Sequence, residues 1–369
     1  MRERRPFSFI AVEYSLALPA GAILALVWVN ASAATYEPFA RALAFPVNDI
    51  GMVLFFALAA KEVVDAMAPG GALHTWRRAA LPLIAAVGGM IGPALCYVAV
   101  VRQSTETALL RGWAIPCATD IAFSYLVVRF IYRRHPAVAF LLLLAIADDA
   151  LGLAILAIFY PVRELHLGIA AVLMAAALLT AFAVRRAGVR SFWPYSIAAG
   201  SLSWAALYAG GLHPALALVP IVPFLPRPDT LDRFERWWKL PVQGVLFVFA
   251  LVNAGVPLRE YGMGTWAVLA GLVAGKPIGI AAAAVAAVAA GFQLPDRFGW
   301  RDVAVVGCAS GVGFTVALFF ATASFPAEGD FPTEDEVGRS LERPAADRSV
   351  LADCGTVPTW SDSFKVASD

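Results

Sequence analysis

The chain has 369 residues, of which 60% are hydrophobic and only 15% are charged, and its mean hydropathy is +0.73. Soluble domains carry about 25% charged residues, so this composition indicates one polytopic membrane domain rather than several soluble ones. The net charge is +1, and no basic tract suggests a nucleic acid partner. The cysteines show no metal-ligand spacing, and a disulfide framework is not indicated.

Apolar stretches of bilayer length recur along the chain, since a membrane-spanning helix needs about 20 mostly apolar residues. We predict an all-α membrane protein of about eleven transmembrane helices, with the lipid bilayer as its surroundings. The predicted spans lie near 11–29, 45–66, 80–101, 113–132, 137–159, 167–184, 192–209, 212–225, 238–257, 264–290 and 302–323. The segment before the first span is basic but no clear cleavage motif follows it, so this span is interpreted as retained.

The arginines and lysines of the short loops predict the orientation. If the N-terminus is cytoplasmic, the inner loops hold most of these residues. The outer loops hold only a few of them, namely Arg41, Arg102, Arg111, Arg163 and Arg259. The bias is consistent from loop to loop, so we expect a cytoplasmic N-terminus.

The C-terminal segment 326–369 differs from the rest of the chain. It is acidic and proline-containing, and it has no apolar run long enough to span a bilayer. A segment of this composition cannot bury a core, so we predict that it is mostly disordered. The predicted organisation is a transmembrane domain over residues 1–325 followed by an acidic tail over 326–369.

Two adjacent aspartates, Asp148 and Asp149, lie in the middle of the otherwise uncharged run Ala137–Phe159. One ionised side chain at the bilayer midplane costs on the order of 3 kcal/mol or more. Paired carboxylates at this depth indicate a site that handles a cation, a proton or both. The alternative is a neutralised, hydrogen-bonded pair that only joins helices.

The fourth and eleventh predicted spans are interrupted. Pro116 removes a backbone donor in the fourth span, so Thr119 and Asp120 lie where that helix breaks. The eleventh span contains the glycine-rich segment Gly307–Thr315. Interrupted helices expose backbone groups that can bind ions where they line a cavity. The alternatives are a proline kink capped by Asp120, and small-residue helix packing in the eleventh span.

Lys276 lies deep in the tenth span, too far from either end for its ammonium to reach water easily. It therefore needs an anionic partner inside the bundle, and the aspartates are the nearest candidates. Such a pair could be a fixed structural bridge. It could also be a switch that opens when the carboxylate takes up a proton or a cation.

Six motifs resemble the NhaA-type bacterial sodium/proton antiporters, in the family's order and over roughly residues 10–325. They are Ala85–Ala94, Gly112–Phe123, Ala147–Asp149, Asn253–Val256, Gly275–Pro277 and Gly311–Thr315. The resemblance implies inverted repeats in which the discontinuous fourth and eleventh helices cross. The family is a standard example of this architecture. The inverted repeats and crossing helices are therefore implied by the resemblance alone.

The resemblance further implies a transporter and not an enzyme, located in the bacterial inner membrane. Two protons would move inward for each Na⁺ or Li⁺ moving outward, for sodium and pH homeostasis, without a cofactor. Asp149, with Asp148 and Thr119, would bind the transported metal ion. Asp120 would offset the dipole ends of the crossing helices, and Lys276 would pair with Asp148 and respond to exchange.

Three further residues match family positions near the pH-responsive region, namely Glu62, His213 and Glu235. By its own surroundings, His213 in a Leu-His-Pro sequence is a loop histidine. Lys61 and Asp65, on either side of Glu62, depart from the family's usual basic pattern. The pH response is therefore left open.

Two larger departures concern whole segments. The connection 30–48 lacks the β-hairpin pattern through which family members dimerise, so a homodimer by that route is left open. The acidic tail stands where the family has a twelfth span. This favours either a truncated or frame-shifted version of the family or a dispensable last helix.

Three other functions are considered. A sodium-coupled symporter of organic anions would keep the fold, but carboxylates do not suit an anion site. A truncated, transport-inactive or structural membrane protein would keep the motifs. An enzyme is not favoured, because neither a nucleophile nor a metal set accompanies the two carboxylates.

Overall fold

In the computed structural model, the residues described are 16–68, 76–104, 107–132, 135–226, 229–257 and 262–325. These residues form an all-helical fold in which no β-strand occurs. The main helices are α1 (Ala17–Ala31), α2 (Ala33–Met67), α3 (Trp76–Val101), α4 (Ile121–Tyr132), α5 (Pro136–Phe159), α6 (Leu167–Arg186), α7 (Gly200–Ala209), α8 (Asp229–Asn253), α9 (Met263–Ala289), α10 (Trp300–Ser310) and α11 (Thr315–Ser324). The predicted tail 326–369 lies outside the described residues.

Several of these helices can cross a membrane. Five are long and apolar enough, namely α2, the part of α3 from Ala79 to Val101, α5, α6 and α9. The pair α10 and α11 adds a sixth if it is one span, although it is bent by 52° at its break. The chain is thus a multi-pass membrane protein, although fewer spans meet this criterion in the described part than the eleven predicted.

The predicted eighth span, 212–225, is not a continuous helix. It forms two short 3₁₀-helices, Pro214–Leu216 and Val222–Phe224, joined by turns. Three prolines fall in this stretch, and each removes a backbone donor that an α-helix would need. Hydropathy alone predicted a membrane span here, and this prediction is wrong because the prolines interrupt the helix.

The second span begins earlier than predicted. Helix α2 starts at Ala33 rather than near residue 45, and it continues through a π-helical turn at Pro46–Gly51. Much of the connection predicted between the first two spans is therefore helical. Alanine, the strongest helix former, accounts for five of the residues in Ala33–Phe45.

Two hydrophobic clusters organise the packing. One is built from buried side chains of α3, α4, α5, α9 and α10. A larger one joins α1, α2, α8 and α11, together with the 3₁₀-helix Thr107–Cys117 that precedes α4. Leu156 near the C-terminal end of α5 and Tyr160 just after it also contribute to this larger cluster. Helix α5, which carries the aspartate pair, thus contacts both clusters.

Glycines bring α3 and α9 into very close contact. A Cβ atom at Gly279 would lie 2.1 Å from the carbonyl oxygen of Gly88, and one at Gly92 would lie 2.3 Å from that of Gly275. Only residues without a side chain allow two helix backbones to approach this closely. Lys276, which lies between Gly275 and Gly279 on α9, is fully buried at this contact.

Candidate functional site

Asp148 is the centre of a buried polar group. Its Oδ2 atom accepts hydrogen bonds from the hydroxyl of Thr119 and from the ammonium of Lys276, the latter at 2.7 Å. Lys276 is fully buried and also donates to the backbone carbonyl of Cys117, the last residue of the 3₁₀-helix. The ammonium therefore neutralises a carboxylate and at the same time caps the negative end of a helix. The carbonyl of Cys117 was not among the predicted partners.

The interruptions in the fourth and eleventh spans lie against each other. Residues 118–120 separate the 3₁₀-helix from α4, and residues 311–314 separate α10 from α11. The backbone N–H of Asp120 donates to the carbonyl of Val312 at 2.9 Å. A Cβ atom at Gly313 would lie 2.4 Å from the carbonyl oxygen of Ala118. A larger residue than Gly313 would thus separate the two breaks.

Asp120 contacts the start of two helices at this point. Its Oδ2 atom accepts from the hydroxyl of Thr315, the first residue of α11, at 2.7 Å. Its Oδ1 atom accepts from the backbone N–H of Phe123 in the first turn of α4, at 3.3 Å. A carboxylate is favourable at helix N-termini, where backbone N–H groups lack intrahelical partners.

Asp149 lines a cavity of about 250 Å³, whereas Asp148 is absent from its wall. The cavity is lined by residues of α2, α5 and α8, by the break before α4, and by the first residues of α4 and α11. Successive residues of a helix point in different directions, so one aspartate faces Lys276 and the next faces the cavity. The polar and charged residues of the wall are Lys61, Glu62, Thr119, Asp120, Asp149, Glu235, Lys239, Gln243 and Thr315.

The two acidic residues predicted for the pH response, Glu62 and Glu235, both line this cavity. Between them lies Lys61, whose ammonium is 2.7 Å from Oδ2 of Asp65 and 2.5 Å from Oε2 of Glu235. Sequence reasoning had noted Lys61 only as a departure from a pattern. The i,i+4 spacing of Lys61 and Asp65 signalled one of the two contacts, and nothing in the sequence signalled the other.

His213 is separate from this group and does not line the cavity. It is buried, with Nδ1 3.7 Å from Oδ1 of Asp49 and its ring 4.7 Å from that of Phe319. It lies just before the first 3₁₀-helix of the segment 212–225. Asp49 was missed by the sequence analysis, although an acidic residue inside a predicted span was a signal for a polar contact.

In the described part of the chain, no cluster of three or more His, Cys, Asp and Glu residues could hold a metal ion. The cation ligands predicted from the sequence are the aspartate pair and Thr119, and Thr119 donates a hydrogen bond to Asp148. Two carboxylates with a hydroxyl offer hard oxygen donors, which suit small alkali cations better than transition metals.

Comparison with known proteins gives the family. The family model described as Na⁺/H⁺ antiporter 1 matches residues 12–338. The Na(+)/H(+) antiporter NhaA 1 of Pelobacter propionicus is 45% identical, over 85% of this chain and 88% of the relative. The Na(+)/H(+) antiporter NhaA of Geobacter sulfurreducens is 43% identical, over 89% of this chain and 92% of the relative. The Na(+)/H(+) antiporter NhaA of Geobacter metallireducens is 44% identical, over 87% of this chain and 90% of the relative. The chain belongs to the Na⁺/H⁺ antiporter 1 family.

Proposed function

We propose that the protein is a secondary antiporter that exchanges cytoplasmic Na⁺ or Li⁺ for external protons, with Asp149, Asp148 and Thr119 as its cation site. The observation that carries this proposal is that the two aspartates have different surroundings. Asp149 lines the cavity, and Asp148 is held next to it by Thr119 and Lys276. Similarity to antiporters over most of the chain supports the same activity and does not favour a transport-inactive protein.

Exchange follows from competition for the same oxygen atoms. A cation that binds at Asp149 replaces the proton that would otherwise neutralise this carboxylate. It also competes with Lys276 for Asp148, so the ammonium loses its partner when the cation arrives. Uptake of protons from the other side then releases the cation. Because protons and the cation bind the same carboxylate oxygens, proton binding from one side of the membrane is linked to release of the cation.

The orientation of the chain in the membrane gives this exchange its direction. With a cytoplasmic N-terminus, the later part of α2 and the earlier part of α8 lie at the cytoplasmic face, and they carry Lys61, Glu62 and Glu235. We therefore propose that the cavity, which Asp149 lines, opens towards the cytoplasmic side. The contact between the breaks before α4 and α11 supports the crossing helices that the resemblance implies, and the hydrogen bonds of Asp120 at both helix starts support its role in offsetting their dipoles. The bacterial inner membrane is the location that fits this arrangement.

The test is a fluorescence assay of ΔpH in everted membrane vesicles that contain the chain. Addition of NaCl or LiCl is expected to collapse ΔpH with the wild-type protein. The variant Asp149→Asn is expected to insert normally and to abolish the response, because the neutral amide cannot exchange a cation for a proton. The matched control is Asp296→Asn, which makes the same change at an exposed position outside the cavity. Sodium-dependent exchange by Asp149→Asn at the wild-type rate would exclude Asp149 from the site.

A further inference from the structure

We propose that Lys61 sets the apparent affinity for Na⁺ by placing a fixed positive charge at the cytoplasmic mouth of the cavity. The inference rests on the proposed function, because it concerns how the same site is filled. Lys61 does not bind the cation. Its ammonium partly cancels the negative potential that draws cations towards Asp149.

The geometry fixes this charge in place. Lys61 is only 9% exposed although it lines a cavity, and two carboxylates on different helices hold its ammonium. Asp65 lies one turn away on α2 at 2.7 Å, and Glu235 on α8 lies at 2.5 Å. A lysine held from two sides cannot swing into bulk water as a solvated surface lysine does. Its charge therefore acts at one place in every cycle.

The charged residues of the wall give the cavity a net negative charge. Four acidic residues line the cavity, and they are Glu62, Asp120, Asp149 and Glu235. The basic residues of the wall are Lys61 and Lys239. A cleft with low-dielectric walls focuses such a charge excess and raises the local concentration of the opposite ion. Loss of Lys61 would leave Asp65 and Glu235 uncompensated and would make the mouth more negative.

A purely structural role makes a different prediction. If the ion pairs only tie α2 to α8, loss of Lys61 would lower the melting temperature and leave the affinity for Na⁺ unchanged. If Lys61 tunes the potential, the affinity changes, and the change depends on ionic strength. At about 10 mM salt charges interact over about 30 Å, whereas at about 1 M they interact over only about 3 Å.

The experiment measures the KM for Na⁺ in everted vesicles, whose outer surface is the cytoplasmic face, with choline chloride to set the ionic strength. Lys61→Met is expected to lower KM about threefold at low ionic strength, and the difference is expected to disappear at high ionic strength. Lys61→Met combined with Asp65→Asn restores the net charge of the mouth and is expected to return KM towards the wild-type value. The control Arg41→Gln removes a charge from an exposed ion pair with Glu37; the Arg41 side chain is 61% exposed and does not line the cavity.

An unchanged or higher KM in Lys61→Met, or an equal decrease in Arg41→Gln, would overturn the inference while leaving the exchange activity in place. A second readout does not need exchange: protection of the purified protein against thermal unfolding by NaCl, compared with choline chloride. Lys61→Met is expected to reach half-maximal protection at about a threefold lower NaCl concentration. Absence of exchange by the wild type would overturn the proposed function, and the protection curves would still decide the role of Lys61.

Discussion

Asp148 and Asp149 are neighbours in the chain and occupy different surroundings. Asp148 is 3% exposed and accepts hydrogen bonds from Lys276 and Thr119, whereas Asp149 lines the cavity. A buried ion pair contributes little net stability relative to apolar residues of the same size, but removal of one partner leaves the other charge buried and alone. Substitution of Asp148 and substitution of Asp149 are therefore expected to affect stability differently.

At the residue scale, we predict that Lys276→Ala lowers the free energy of unfolding by about 3–5 kcal/mol, because it leaves Asp148 without its cationic partner. Thermal unfolding in detergent measures the effect. The double variant Lys276→Ala with Asp148→Asn is expected to be more stable than Lys276→Ala alone, because the stranded charge is removed with its partner. Equal stability of the single and double variants would contradict the assignment of this pair. Arg41→Gln, at an exposed ion pair, is expected to change stability by at most about 0.5 kcal/mol.

At the element scale, the contact between α3 and α9 positions Lys276. The two helices approach through glycines on both sides, and Lys276 lies on the contacting stretch of α9. From there its side chain reaches Asp148 on α5 and the carbonyl of Cys117 at the end of the 3₁₀-helix. A small change in the distance between α3 and α9 would move the ammonium relative to both partners. Packing and ion chemistry are therefore coupled at this interface.

We predict that Gly88→Ala destabilises the protein and slows exchange. The added Cβ atom would lie 2.3 Å from both the Cβ atom of Ala283 and the carbonyl oxygen of Gly279, so α9 must move. Overpacking of this kind typically costs about 1–3 kcal/mol. Melting temperature and initial exchange rate measure the two effects.

The matched control is Gly168→Ala in α6, where an added Cβ atom meets nothing within 4 Å. Alanine is about 1 kcal/mol more favourable than glycine inside a helix, so this variant is expected to be neutral or slightly stabilised. A stable and fully active Gly88→Ala variant would show that the close approach of α3 and α9 is not required.

At the scale of the whole molecule, the cavity lies between helices of different packing clusters. Phe55 and Leu246 line it from α2 and α8 in the larger cluster, and Ile121 lines it from α4, a helix of the other. The resemblance implies two protons per cation, so one net positive charge enters in each cycle. Moving one charge through a potential of 100 mV corresponds to about 2.3 kcal/mol. Exchange is therefore expected to respond to voltage as well as to ΔpH.

We predict that a membrane potential alone drives sodium movement through the reconstituted protein. In proteoliposomes loaded with radioactive Na⁺, an interior-negative potassium diffusion potential is expected to accelerate efflux at equal pH. The equilibrium sodium gradient is expected to change about 50-fold per 100 mV. Asp149→Asn proteoliposomes report the passive leak. Efflux that is independent of the potential would indicate electroneutral exchange.

Several features could be predicted from local sequence because their causes are local. Continuous apolar runs give the helices α5, α6 and α9 close to their predicted bounds. The fourth span does break close to Pro116, at residues 118–120, although the 3₁₀-helix itself continues through Pro116 to Cys117. Prolines also explain the main error, since hydropathy alone predicted a helix over 212–225 while the proline spacing there permits only short 3₁₀-helices.

By itself, the sequence determined that this is a multi-pass membrane protein with two carboxylates at the middle of one span, because hydropathy and charge are properties of each segment. The tertiary structure alone decided which aspartate lines the cavity and that Glu235 reaches Lys61, 174 positions away. It also decided that His213 meets Asp49 instead of the other predicted pH-responsive residues. Helix rotation and packing between distant segments set these contacts, and neither leaves a signal in a single sequence.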